Sequence, residues 1–317
     1  MAGPAIRVAV SAIDWRACQL AGAAIYLADM AMVTITWIAV LWSADRASGG
    51  HMPDHANTSA VIITEVDDIL LMRINRPRAR NAMNREALRL LAEGYTTLSH
   101  SARLRCGVVC GEGEVFCAGL DLADVIPASV AEGSASYLKP GQCDPFRLYG
   151  PACAKPVITA VHGRCYTAGL ELMLAADMCV AANGTRFSQQ ETTRGIFPLG
   201  GGTIRLPAAI GWGRAMHCIL AGGGFDAEDA HRWGLVQMLA EPGEQLRLAL
   251  DLAREVANCA PLAVQAALAN ARLAQTDGVR VATEHIRTEG RRIALTGDAR
   301  EGMMSMVERR AAKFTGS

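Results

Sequence analysis

The chain has 317 residues, of which 51% are apolar and 20% are charged. This balance supplies a buried core and excludes an intrinsically disordered protein. The 31 Lys and Arg residues equal the 31 Asp and Glu residues in number, so the formal net charge is zero. A nucleic-acid partner is therefore not expected, because no whole-protein field would attract a polyanion.

The N-terminal residues 1–51 differ in composition from the rest of the chain. Residues 1–50 hold three of the five Trp residues and only six charged residues, and residues 30–44 carry no charge. That uncharged run is shorter than the roughly 20 residues of a membrane-spanning helix. Three interpretations stay open: a membrane anchor, a docking helix, or an extension that the working protein lacks.

The third interpretation is favoured for two reasons. Met52 begins a polar segment typical of a protein N-terminus, and the strand and helix pattern of a complete domain begins just after it. Membrane contact is therefore expected only if residues 1–51 are present.

After Met52, the first half of the chain predicts strands with helices between them. The β-rich runs 61–66 and 69–74 predict a hairpin through a tight turn at Asp67-Asp68. Asn84 predicts the N-cap of a helix that ends near Ser99. Further apolar runs predict strands at residues 106–110, 156–161 and 178–182, with a short strand at 185–189.

The second half of the chain is mostly helical in pattern. A helix begins near residue 169, before the strand at 178–182, and the pieces between strands are expected to be loops or short helices. From about Gly243 the pattern predicts helices at 246–259, at 261–275 and around 301–314. The order predicts an α/β core followed by a C-terminal helical part.

The ten cysteines show no metal-binding or disulfide spacing. None forms C-x-x-C, and most lie in apolar runs, as Cys179 and Cys218 do. The pattern predicts buried, reduced thiols, no metal site, and a reducing compartment, which we take to be the cytoplasm.

Two glycine-containing turns break the packing pattern and carry candidate chemistry. In residues 115–122 a predicted strand runs into Ala118-Gly119, where glycine permits a sharp turn that presents backbone N–H groups. Further on, Gly163 and Gly169 bracket a loop that opens a helix. The first N–H groups of that helix, with its dipole, would stabilise a developing negative oxygen.

Two glutamates lie in or beside these segments. Glu171 interrupts an apolar run just inside the predicted helix, so it fits equally a buried acid or base and a solvated residue that aids the helix dipole. Glu191 follows a strand-like run and precedes glycines 200–202, which permit close backbone approach. Together the two carboxylates and the two turns form a more specific set than any one of them.

Several separated motifs resemble those of the crotonase, or enoyl-CoA hydratase/isomerase, superfamily, in the same order from about Val61 to Ser317. They are INRPRARNAMN (74–84), FCAGLDL (116–122), KPVITAVHG (155–163), AGLELMLAADM (168–178), FSQQE (187–191), FPLGGGTIRL (197–206) and the ending DAREGMMSMVERRAAKF.

The resemblance implies an α/β fold: a crotonase-like spiral of ββα units with a C-terminal helical oligomerisation region. It divides the chain into the extension 1–51, an acyl-CoA-binding core at 52–255 and a helical region at 256–317. It also implies a homotrimer or homohexamer, and no cofactor beyond the coenzyme A of the substrate.

The activity implied is reversible addition of water to a trans-2-enoyl-CoA. By resemblance, the backbone N–H groups of Leu120 and Ala168 form the oxyanion hole for the thioester oxygen. Glu171 is implied to take a proton from water, and Glu191 to deliver one to the substrate. Two rivals stay open: double-bond isomerisation or other enolate chemistry on the same fold, and a non-catalytic, RNA-associated member of the superfamily.

The same resemblance assigns contacts to coenzyme A. They are Arg78, Ala79, Arg80, the carbonyl of Ala118, and the C-terminal residues Lys313 and Phe314, which in the family often come from a neighbouring subunit.

Three departures from the family pattern are visible. Thr167-Ala168-Gly169 replaces the usual glycine triplet, Gln190 replaces a frequent proline, and residues 127–149, expected to shape the acyl pocket, match least well.

Overall fold

A computed structural model of the protein describes residues 59–317. Its larger sheet has six strands in the order β1-β2-β3-β4-β6-β9, and β1 with β2 is the only antiparallel pair in that sheet. These strands are β1 (Val61–Val66), β2 (Ile69–Ile74), β3 (Cys106–Gly111), β4 (Val157–Val161), β6 (Met178–Ala182) and β9 (Met238–Ala240). The predicted hairpin is confirmed, because Val66 pairs with Ile69 across Asp67-Asp68.

A second sheet has three strands and shows how the repeated units of the fold follow one another along the chain. It contains β5 (Arg164–Tyr166), β7 (Arg186–Ser188) and β8 (Gly224–Asp226) in the order β5-β7-β8. From β4 the chain passes to β5 and then into a helix, and from β6 it passes to β7 and then into helices. The segment after β3 repeats this pattern, since Cys117 bridges to Cys165 of β5 before the next helix. The ββα units of the crotonase fold are thus present.

The ten α-helices of residues 59–317 follow the strands in chain order. They are α1 (Arg85–His100), α2 (Leu122–Glu132), α3 (Ala168–Ala175), α4 (Gly202–Ile210), α5 (Trp212–Ala221), α6 (Ala227–Arg232), α7 (Gln245–Ala257), α8 (Pro261–Thr276), α9 (Val279–Ala294) and α10 (Gly297–Glu308). Short 3-10 helices lie at Pro77–Ala79 and Thr192–Arg194. The predicted cap of α1 is confirmed, because Asn84 accepts a hydrogen bond from the N–H of Ala87 at 2.9 Å.

The larger sheet separates two apolar layers. In β2, Ile69 and Leu71 face α7, whereas Leu70, Met72 and Ile74 belong to the core on the opposite face. This alternation is the period of two that a strand imposes. Helix α3 and the second sheet lie on the same side of the larger sheet as Leu70, Met72 and Ile74, and they contribute to the same core. Both faces of the central strands are thereby covered, as a parallel sheet requires.

The structure corrects four details of the predicted elements. The segment at 115–122 holds isolated bridges at Cys117 and Leu120 rather than a strand. The predicted loop after Gly163 contains β5, and Gly169 lies inside α3. Helix α9 is absent from the predicted elements, although its apolar residues recur at helical spacing. The last helix ends at Glu308, because Arg309 adopts a left-handed φ of 54°.

The C-terminal helices join the core through a partly buried ion pair. Arg272 of α8 donates two hydrogen bonds, at 2.8 Å and 3.0 Å, to the carboxylate of Asp177 just before β6. Helix α7, which packs on the larger sheet, ends at Ala257, close to the predicted boundary between 255 and 256. That boundary stays a prediction, and the proposed extension 1–51 lies outside the described residues.

Two further properties concern residues 59–317 alone. Eight of their nine cysteines are buried free thiols, as predicted, and Cys259 is exposed. Cys18 lies outside the part of the chain that the structure describes. No helix between residues 59 and 317 is long and apolar enough to cross a membrane.

Candidate active site

A cavity of about 320 Å³ opens beside the N-terminus of α3. It brings together most of the residues that the sequence singled out, although they come from four separate segments of the chain. These residues are Ala79, Arg80, Ala118, Leu120, Ala168, Glu171 and Glu191. The arrangement satisfies the first requirement of a site, because groups distant in sequence converge on one space.

Two backbone N–H groups at this cavity have no partner in residues 59–317. Neither the N–H of Leu120 nor that of Ala168 donates a hydrogen bond, although their neighbours Asp121 and Thr167 both do. Ala168 is the first residue of α3, where no preceding turn supplies a carbonyl. Both groups are available as donors to an oxygen atom in the cavity, and the dipole of α3 favours a negative charge there.

The segment carrying Leu120 is held in place by a neighbouring turn. Arg80 and Asn81 both adopt positive φ angles, of 52° and 55°. The buried amide of Asn81 donates to the carbonyls of Glu112 and Val115, each at 2.8 Å. The carbonyl of Arg80 accepts from the N–H of Ala118 at 3.0 Å, which ties the turn to the Leu120 segment.

Thr167 precedes the other donor and is strained. Its φ of 50° and ψ of −121° lie in a region that favours glycine, yet Thr carries a branched β-carbon. A Cβ added to Gly119 would collide with the Thr167 hydroxyl, so Gly119 must lack a side chain here. The departure from the family's glycine triplet thus lies at the cavity, where Thr167 is also a lining residue.

Glu171 is buried, with 1% of its surface exposed. Its Oε2 accepts from the N–H of Gly200 at 2.9 Å, and its Oε1 accepts from the N–H of Gly202 at 2.8 Å. Burial raises the pKa of Glu171, whereas these two amides and the charge of Arg205 lower it. The structure thereby decides between the two interpretations of this residue, since the carboxylate is not solvated.

Glu191 is buried as well, at 5% exposed. Burial raises the pKa of Glu191 to about 7, and the charge of Glu171 adds to the increase. The fully buried Gln189 places its amide nitrogen 2.7 Å and 2.8 Å from the two carboxylate oxygens, in the orientation that gives both of its amide atoms partners. The two carboxyl groups therefore share one cavity with unequal surroundings.

Three of the predicted coenzyme A residues do not line this cavity. Arg78 lies in the exposed 3-10 helix at Pro77–Ala79. Lys313 and Phe314 follow α10, where the N–H of Lys313 donates to Glu301 and the carbonyl of Phe314 accepts from Arg105. The predicted contacts of these three residues with coenzyme A stay predictions.

The apolar wall of the cavity differs from the expected one. It is formed by Leu122 and Ile126 of α2 and by Ile196, Phe197 and Leu199 after the Glu191 segment. No residue of 127–149 is among the lining residues of this cavity. Sequence reasoning also left out Gln189, although it lies two positions before Glu191 within a motif that had been recognised.

The part of the chain from 59 to 317 holds no cluster of three or more His, Cys, Asp or Glu side chains suited to a metal ion. The expectation of a site without metal stays a prediction.

Comparisons with known proteins identify the family. The family model described as enoyl-CoA hydratase/isomerase matches residues 64–317. The chain belongs to the enoyl-CoA hydratase/isomerase family. A solved structure of a probable enoyl-CoA hydratase/isomerase from Mycobacterium abscessus is 39% identical, with a TM-score of 0.78 over 82% of this chain and 100% of that chain.

Relatives within the enoyl-CoA hydratase/isomerase family carry different activities in their names. An enoyl-CoA hydratase of Mycobacterium tuberculosis is 31% identical over 253 residues, covering 77% of this chain and 92% of the relative. A 1,2-epoxyphenylacetyl-CoA isomerase of Escherichia coli is 30% identical over 256 residues, covering 78% and 95%. Membership shows an enzyme family acting on acyl-CoA, but two activities at nearly equal identity do not select one reaction.

Proposed function

We propose that the protein adds water reversibly to a trans-2-enoyl-CoA and forms the 3-hydroxyacyl-CoA. The proposal rests on one observation. Two unpartnered backbone N–H groups and two carboxyl groups shielded from bulk solvent line the same cavity. The similarity to named hydratases supports it.

The N–H groups of Leu120 and Ala168 stabilise the reacting thioester oxygen. As water adds to C3, electrons move through the alkene onto that oxygen, which becomes an enolate. Donors bind an anionic oxygen more strongly than a neutral carbonyl, so their contribution is larger in the transition state than in the ground state. That difference lowers the barrier.

The two glutamates divide the proton transfers. Glu171, ionised and held by two amides, takes a proton from the attacking water. Glu191 has a pKa near 7 and is available in the protonated form to deliver its proton to C2. A proton then passes from Glu171 to Glu191, which restores the starting state.

The substrate's coenzyme A moiety lies, in this proposal, against Ala79, Arg80 and the carbonyl of Ala118, with its acyl chain along the apolar wall. Arg78 contacts the nucleotide, and Lys313 and Phe314 close over coenzyme A from a neighbouring subunit. The protein works in the cytoplasm as a homotrimer or homohexamer and uses no metal or redox cofactor.

Separate Glu171→Gln and Glu191→Gln variants test the proposal. Each is expected to lower kcat for hydration by about 100-fold or more, since each removes one of two proton transfers. The measurement follows loss of enoyl-thioester absorbance over substrates of increasing acyl length.

Isomerisation is the second candidate, favoured by the similarity to a named isomerase. If Glu171→Gln left turnover intact, the hydratase proposal would fail and an isomerase would take its place. Migration of the double bond without gain of water, measured by product mass, would likewise favour the isomerase.

A further inference from the structure

Arg205 lies behind the active site as a cation without a carboxylate partner. Its guanidinium donates to three backbone carbonyls: those of Gly200 at 3.1 Å, Phe146 at 2.7 Å and Arg147 at 3.3 Å. Within residues 59–317, no carboxylate lies at salt-bridge distance from it. Because this half-buried guanidinium pairs only with neutral groups, no adjacent carboxylate offsets its positive charge. The charge therefore acts on groups that lie farther away.

The carbonyls of Phe146 and Arg147, which Arg205 binds, belong to a loop built around Asp144. The carboxylate of this fully buried residue accepts from the hydroxyl of Tyr137 at 2.8 Å and from the N–H of Phe146 at 2.9 Å. It also accepts from the N–H of Leu148 at 2.7 Å and of Tyr149 at 2.9 Å. These four hydrogen bonds fix the loop, and therefore the carbonyls to which Arg205 donates.

On its other side, Arg205 contacts the glycine turn, residues 200–202, whose N–H groups hold Glu171. Arg205 binds the carbonyl of Gly200, and the N–H groups of Gly200 and Gly202 bind the two oxygens of Glu171. Gly201 adopts a positive φ of 92° and has no side chain where Arg205 passes. Arg205 thus joins two backbone segments, the loop held by Asp144 and the glycine turn that binds the carboxylate of Glu171.

The charge of Arg205 acts unequally on the two glutamates. Burial raises the pKa of Glu171, and the charge of Arg205 opposes that increase together with the two amides, whereas burial and the charge of Glu171 raise the pKa of Glu191. Burial lowers the pKa of Arg205 to about 10 and nearby Arg147 adds to the decrease, while Asp144 and Glu171 oppose it. Arg205 consequently stays charged at neutral pH.

We infer that Arg205 is a positioning residue that selects Glu171, rather than Glu191, as the ionised member of the pair. It does so by holding the glycine turn and by placing a positive charge behind that turn. The inference deepens the proposed function and rests on it only for the statement that the ionised member acts as the base.

The test compares Arg205→Met with Arg205→Lys. Carboxyl groups of the full-length protein, labelled with ¹³C at glutamate, are titrated by NMR, and the Glu171 signal is assigned with Glu171→Gln. Loss of the cation in Arg205→Met is expected to move the titration midpoint of Glu171 upward. Arg205→Lys keeps the charge and is expected to keep most of the wild-type midpoint.

Activity supplies the second readout. The acid limb of kcat/KM should move to higher pH in Arg205→Met, in step with the NMR midpoint. If Arg205→Met does not fold, Arg205→Gln replaces it, because glutamine is neutral and still donates to a carbonyl.

Arg272→Met is the matched control. Arg272 is comparably shielded, at 17% side-chain exposure, but it binds Asp177 and is not among the groups that set the pKa of Glu171. It should lower the thermal midpoint without moving the Glu171 titration. An unmoved Glu171 titration in both Arg205→Met and Arg205→Gln would overturn the inference.

The two proposals fail in different ways. The NMR titration needs no turnover, so a moved midpoint in a protein that does not hydrate enoyl-CoA would contradict only the proposed function. Hydration with an unmoved midpoint would contradict only the role of Arg205.

Discussion

Glu191, the proposed proton donor, shows how a single buried carboxyl group opposes stability. Its pKa is about 7 in the folded protein and near 4.5 ordinarily, so the folded state keeps a proton that the unfolded state loses between these values. Stability contributed by this group therefore falls as pH rises through that window, and the full cost is present above about pH 7.

Glu191→Gln should consequently raise the free energy of unfolding above pH 7, by an amount on the order of 1–3 kcal/mol, although activity is lost. Denaturant unfolding at acid and alkaline pH measures it, with the exposed Glu114→Gln as the control. Equal stability of the wild type and Glu191→Gln at every pH would show that Glu191 does not titrate in this way.

Residue identity alone could not decide what Glu171 does. The apolar run around it was compatible with burial and with a solvated first-turn position, because a short helix start offers both. Burial of the carboxylate depends on Gly200 and Gly202, 29 and 31 positions away in the chain. No local pattern contains that contact.

At the scale of elements, the first residue of α4 is expected to tolerate no added side chain. A Cβ at Gly202 would lie 2.5 Å from the side-chain amide group of Gln189 and 3.0 Å from Glu171 Oε1. Gly202→Ala should therefore displace Glu171 and lower kcat by about 10-fold or more, since small misplacements of catalytic groups are costly.

Gly213→Ala, near the start of α5, is the control for Gly202→Ala. Apart from its chain neighbours and the backbone of its own helix, no atom lies within 4 Å of the position its Cβ would occupy. This variant should keep activity and gain up to about 1 kcal/mol from helix propensity. Comparable kcat values for Gly202→Ala and Gly213→Ala, measured in the same hydration assay, would contradict the expected crowding at Glu171.

Element boundaries were predictable where local signals were strong. The hairpin of β1 and β2 and the cap of α1 follow from a turn and an N-cap residue next to periodic runs. The strand β5 has only three residues and pairs with β7, so tertiary contact rather than local pattern creates it. The end of α10 likewise depends on the left-handed conformation of Arg309.

At the scale of the whole molecule, the C-terminal helices expose apolar side chains that favour the proposed oligomer. The large exposed residues of α9 and α10 include Val279, Ile286, Met303, Met306 and Val307, and the last two are 81% and 79% exposed. Apolar surface of this kind marks interaction sites in many proteins.

We expect light scattering after size exclusion to give a mass of three or six chains. Met306→Asp combined with Val307→Asp should reduce it, because charges would be buried without partners. Met306→Leu, which keeps the apolar surface, should leave the mass unchanged. A wild-type mass of one chain would contradict the oligomer.

The sequence by itself determined the family, the α/β class with a helical C-terminal part, and the two glutamates and two backbone segments of the candidate site. It could do so because turns, caps and catalytic motifs are local patterns of a few residues. The convergence of those segments on one cavity, and the apolar wall from α2 and residues 196–199, were decided by the tertiary structure. The tertiary structure also decided the difference in proton affinity between Glu171 and Glu191. Burial and electric potential depend on groups that meet only after folding, such as Arg205, Gly200 and Glu171.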